Sequence, residues 1–141
     1  MNKVEWIYIF SETGNPIFKY ENFKSDKEEE NHTILSHFLY GLKSTALNLK
    51  DNEIKMMEMR NNKYFLSKDT QHGLIFMLKS ILKTDHEEIG NMLMEIKNRF
   101  INIYANKWYV DIDKKKELLD TLEEDVIKII NPQNRIESFL H

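Results

Sequence analysis

Apolar residues along this chain recur with two different periods, and the changes of period mark out its elements. Val4 to Phe10 reads Val-Glu-Trp-Ile-Tyr-Ile-Phe, β-branched and aromatic almost throughout. Such a run predicts a strand covered on both faces and therefore central in its sheet. Ser11 to Pro16 is dense in turn formers. Ile17 to Phe23 then alternates, with Phe18 and Tyr20 on one face and Lys19 and Glu21 on the other. The expectation is a β-hairpin.

From Ser25 the period becomes helical. Ser25 with Glu28 reads as a capping box, and Asp26 and Glu28 to Glu30 favour the positive end of a helix. Ile34, Leu35, Phe38, Leu39, Leu42, Ala46 and Leu49 form the apolar stripe of a long helix. Gly41 interrupts it, at a cost of about 1 kcal/mol against alanine. It is expected where the helix comes close to the sheet.

Three short strands follow. Glu53 to Arg60 carries Ile54, Met56, Met57 and Met59, and the switch of apolar parity between Met56 and Met57 predicts a bulge. Asn61-Asn62 reads as a tight turn. Lys63 to Ser67, the turn Lys68 to Gly73, and the apolar run Leu74 to Leu78 complete the set. Thr84 with Glu87, or Asp85 with Glu88, opens a second helix. Its stripe is Ile89, Met92, Leu93, Ile96, Phe100, Ile103 and Tyr104, running toward Trp108. Tyr109 to Asp113 turns the chain. A third helix spans about Lys114 to Ile130, with Asp113 as N-cap and Asn131-Pro132 as its stop. Residues 1–132 then make one domain and residues 133–141 a short tail.

Composition narrows the function classes. A chain of 141 residues, 41% hydrophobic and 30% charged, fits one soluble domain. Zero Cys excludes disulfides and thiolate zinc sites and suits a reducing compartment. A net charge of -3 with mixed signs gives no footprint for nucleic acid. No apolar run reaches the roughly 20 residues that span a bilayer, and no signal-peptide pattern opens the chain. The expected location is cytoplasmic, or peripheral to membranes through partners.

The search for chemistry returns little. His32 and His37 are five apart, not the four that set two ligands on one helix face. Gly14, Gly41, Gly73 and Gly90 are isolated, so no phosphate loop forms, and no serine sits in a nucleophile elbow. Glu28 to Glu30 and Glu123 to Asp125 read as solvated helix faces. The expectation is a chain that is not an enzyme and holds no cofactor or metal.

The element order is ββ-α-βββ-α-α. The residues that carry it are the first strand Trp6 to Phe10, the hairpin to Pro16–Tyr20, the Gly-containing helix segment Phe38 to Leu42, the meander Ile54 to Leu78 and the paired C-terminal helices. In this order the chain resembles the longin family over nearly its whole length, and it is close in layout to small clathrin-adaptor subunits. Its Lys-, Ile- and Asn-rich composition would suit an archaeal relative of those trafficking proteins. The resemblance implies an α+β, profilin-like fold: a five-stranded antiparallel sheet with one helix on one face and two on the other. Roadblock domains, the nearest confusion, place a helix before the first strand. Fusion proteins of the family add a heptad segment and an anchor, for which this chain leaves no room.

The resemblance further implies a non-catalytic interaction module, dimeric with itself or another longin-like subunit, that serves small-GTPase regulation or vesicle trafficking as an adaptor or platform. In longin relatives the first helix and the third strand form a groove or dimer face. The matching candidates are Tyr40, Lys43 and Leu47 on the helix, near Ser44, and Met56, Met57 and Met59 on the strand. Methionines on an edge strand make an adaptable partner surface; the alternative is that some are simply core. Tyr40 and Leu47 are either exposed anchors or scattered surface apolars. Lys114 to Lys116 oppose the helix dipole, which suits an anionic partner, a membrane surface or a plain solvated turn. The competing function is a small-molecule sensor with a cavity lined by Trp6, Tyr8, Phe18, Tyr64 and Phe76.

Overall fold

The computed structural model describes residues 3–21, 40–51, 53–59, 62–81, 83–104 and 112–131. Five strands form one antiparallel sheet: β1 (Val4–Ser11), β2 (Pro16–Glu21), β3 (Lys55–Met59), β4 (Asn62–Asp69) and β5 (Leu74–Ile81). Their spatial order is β2-β1-β5-β4-β3. Residues 40–46 are helical and are termed α1. Helix α2 (His86–Arg99) runs into a π-helical turn, Phe100–Tyr104, and α3 (Ile112–Ile130) follows. The capping box and the Ile34-to-Leu39 part of the first stripe lie outside the described residues, as do Tyr109 to Asp111, Trp108 and the tail.

The strands that read as doubly covered are the inner ones. β1 sits between β2 and β5, and β5 between β1 and β4. The pleat sends alternate side chains to opposite faces, and two separate cores result. On one face Val4, Ile7, Ile9, Phe65, Phe76 and Leu78 pack with Ile89, Leu93 and Ile96 of α2, Phe100 and Tyr104 of the π turn, and Leu122 and Val126 of α3. On the other face Trp6, Tyr8, Tyr64, Leu66, Ile75 and Met77 pack with Leu42, Ala46 and Leu49. Among the described residues, one helix therefore lies on one side of the sheet and two on the other. Burying a large apolar side chain is worth about 1.5–3 kcal/mol, so each core is a substantial term.

Several expectations change at the level of single residues. Gly41 does not touch the sheet: a Cβ built there meets nothing within 4 Å. Its neighbour Leu42 is the one turned inward. β3 carries no bulge, because Lys55 to Met59 pair in unbroken register with Leu66 to Asn62. The register shifts fall in β1 instead, between Ile9 and Phe10 against β2 and between Val4 and Trp6 against β5. Asn62 is a strand residue opposite Met59, not half of a tight turn, and Asn61 lies outside the described residues. β4 continues through Lys68 and Asp69, so the next turn starts at Thr70.

The helix ends are also redrawn. Asp85 is the N-cap of α2, accepting from the Glu87 N–H at 2.9 Å, whereas Thr84 turns back to the Ile81 carbonyl. Asp113 is not an N-cap, since α3 already includes Ile112. Ile103 is 39% exposed although it fits the α2 stripe. The π turn, with its i→i+5 bonding, keeps Phe100 and Tyr104 inward and rotates Ile103 out.

Candidate interaction surface

The candidate residues fall in two places, the outer side of α1 and the edge strand β3. β3 closes the sheet at one end and pairs with β4 alone among the described residues. An edge strand presents backbone donors and acceptors to a partner. β3 blunts this with exposed Lys55 and Glu58 between half-buried Met56, Met57 and Met59. The methionines do not form one stripe. Met57 and Met59 pack against the α1-side core, whereas Met56 packs against the α2-side core.

On α1, Tyr40 is 68% exposed and Leu47, just beyond the helical residues, is 39% exposed. Lys43 lies between them, its Nζ 5.5 Å from the Tyr40 ring centroid. The same Nζ reaches the β1–β2 turn, 2.8 Å from where a Cβ on Gly14 would stand. The structure thus sets Tyr40, Lys43 and Leu47 along the outer side of α1, and Met57 and Met59 on the same face of the sheet further along. It does not bring Met56 to that face.

Two grooves flank the start of β3. One, of about 690 Å³, is bounded by Thr45, Asn48 and Leu49 and by Glu53 to Met56. The other, of about 330 Å³, lies on the α2 side among Ile54, Met56, Phe65, His86, Glu87, Gly90 and Asn91. The aromatic cavity does not exist as such. Trp6, Tyr8 and Tyr64 belong to one core and Phe18 and Phe76 to the other, with the sheet between them.

One residue that the periodicity hides is Lys97. It is 4% exposed and occupies the apolar side of α2, four residues after Leu93. Its Nζ donates to the Ser67 hydroxyl at 3.0 Å, to the Lys68 carbonyl at 2.6 Å and to the Asp51 carbonyl. Burial holds its pKa below the ordinary lysine value, opposed by the Asp69 and Asp51 carboxylates. The i+4 spacing from Leu93 was the available signal, because a charge on an apolar stripe needs partners. Asp51 accepts from both the N–H and hydroxyl of Thr70, at 3.0 and 2.5 Å. The hydroxyl bond is the leading reason that its pKa sits below the usual carboxylate value.

Two of the histidines have structural partners. His72 bonds Asp69 at 2.6 Å, and His86 meets the edge of Phe65. His32, His37 and His141 lie outside the described residues. Asp125, expected on a solvated face, is half-buried and accepts from the Tyr104 hydroxyl at 2.6 Å. Lys114 and Lys116 are exposed in the first turns of α3. Among the described residues no three His, Asp or Glu side chains come together as a metal site, and no helix is long and apolar enough to cross a membrane.

No protein-family model matches the sequence. No curated protein matches it either. Solved structures do. A chain in the structure of the mammalian SRP receptor aligns over 97% of this chain and 99% of its own, at 11% identity, with a TM-score of 0.55. A Roadblock/LC7 domain from Streptomyces avermitilis aligns over 71% of this chain and 84% of its own, at 12% identity, with a TM-score of 0.49. At such identities the likeness is one of fold. The fold is longin-like: a five-stranded antiparallel sheet in an α+β chain, with the strand order and helix layers given above.

Proposed function

We propose that this chain is a non-catalytic interaction module of the longin type, acting as an adaptor or platform subunit in a complex that regulates a small GTPase or serves vesicle trafficking. The observation that carries the reading is the exposed apolar pair Tyr40 and Leu47 on the face of the sheet that also holds Met57 and Met59 of β3, an edge strand among the described residues. An exposed aromatic, an exposed leucine and an adaptable methionine strand on one face are the features of a surface that another protein covers. The GTPase part of the proposal comes from the family resemblance; the platform part comes from this surface. Partners would be a second copy or another longin-like subunit, and a small GTPase, with membranes reached only through them. Exchange or activation chemistry would then belong to the partner's nucleotide site, and this chain would supply shape.

The test is an affinity pull-down from native lysate with GDP and, in parallel, a non-hydrolysable GTP analogue. The expected result is enrichment of a small GTPase in one nucleotide state, abolished by Leu47→Asp. A chain that stays monomeric and retains no GTPase in either state would sink the reading. The sensor alternative loses its feature, since its five aromatics face two different cores.

A further inference from the structure

We infer that Lys97 is a latch that ties the α2 layer to the segment leading into edge strand β3, so that opening it frees β3 while the rest of the sheet stays folded. An ammonium has three donors, and here three oxygens take them: the Ser67 hydroxyl, the Lys68 carbonyl and the Asp51 carbonyl. These oxygens belong to different parts of the fold. Ser67 and Lys68 lie near the end of β4, and the Ser67 side chain faces α2. Asp51 follows α1, whose Leu42 and Ala46 pack on the opposite face of the sheet. The lysine thus reaches past the end of the sheet from one helix layer to the chain that leaves the other.

The same segment is gripped from a second side. Thr70 donates twice to the Asp51 carboxylate, and the Lys68 ammonium donates to the Leu47 carbonyl at 2.9 Å. Around the Lys97 ammonium stand the Asp51 and Asp69 carboxylates, with Lys68 and His72 beyond them. β3 begins four residues after Asp51, is five residues long and pairs with β4 alone among the described residues.

Loss of the latch strands oxygens with unequal options. Ser67 is fully buried, but Asp51 is exposed and its carbonyl can turn to water. A buried acceptor without a donor is costly, so the favourable response admits water to the Ser67 hydroxyl and the Lys68 carbonyl, which the exposed Asp51 segment allows by swinging outward and drawing the start of β3 with it. β1 and β5, paired on both sides, have no reason to follow. The latch is a property of the isolated chain. Its consequence, that a partner's access to the β3 edge is set from the α2 side, rests on the interaction reading.

Amide hydrogen exchange of the whole chain tests it without a partner, so the latch and the interaction reading can fail separately. In Lys97→Met, residues 53–59 should speed up at least about tenfold more than β1 and β5 do. Thr70→Val, on the exposed side, should act in the same direction by less. Uniform acceleration across the sheet, or none at 53–59, overturns the latch. If Lys97→Met does not fold, Thr70→Val decides: selective acceleration at 53–59 supports the latch and its absence overturns it.

Discussion

Tyr104 joins the π turn to α3 through one hydroxyl, and its environment gives a prediction with a definite sign. Burial first, and the Asp125 bond second, push its pKa above the ordinary phenol value. A group whose pKa is raised by folding contributes fully below its unfolded value of about 10 and loses that contribution as pH climbs toward the folded value. Tyr104→Phe should cost about 1 kcal/mol at neutral pH. The gap between the two proteins should close above pH about 10, as read by urea unfolding from neutral to alkaline pH. Lys97 acts with the opposite sign, gaining stability as pH rises toward its unfolded value of about 10.5, but it is present in both proteins and cancels. Glycines give a second contrast. Gly41→Ala should stabilise by about 0.5–1 kcal/mol, since its site is open and helical. Gly14→Ala should destabilise, because its φ of +96° and the nearby Lys43 ammonium both resist a side chain. Thermal denaturation of the two variants checks both signs. Periodicity foretold which residues are apolar and inward, but it could not show that Gly41 points away or that Lys97 is buried. Both depend on which neighbour comes over the helix, and that is long-range information.

Elements were legible wherever one face is buried and the other is not. β2 shows it: Phe18 and Tyr20 pack inward on the α2 side, while Glu21 turns to the Tyr8 hydroxyl at 2.7 Å. β3 misled for a physical reason. Its parity switch came not from a bulge but from a strand with a core on each side, so Met56 and Met57 can both be apolar in a regular ladder. The surface prediction belongs at this scale. Tyr40→Ala and Leu47→Asp should leave stability within about 0.5 kcal/mol of the parent while abolishing capture of a partner. Loss of fold in either variant, seen by circular dichroism, would instead make these residues part of the core. By contrast Phe76→Ala, fully buried on β5 against Phe100, should cost about 3–5 kcal/mol in denaturant unfolding.

At the scale of the molecule, element order set the fold because so few arrangements accept ββ-α-βββ-α-α with short connections. The strand order β2-β1-β5-β4-β3 is what puts the meander's first strand, and not its last, at the rim. That placement turned a methionine-rich strand into a candidate surface, and no local pattern carries it. The same arrangement has a chemical consequence. Met56, Met57 and Met59 are half-exposed, and between them they contact both cores of the protein. A thioether oxidised to its sulfoxide becomes polar and chiral and disrupts the packing it served. Peroxide should therefore mark these sulfurs before the buried Met77, as mass spectrometry of the digested chain would show. Damage at this one rim would reach the packing on both sides of the sheet at once.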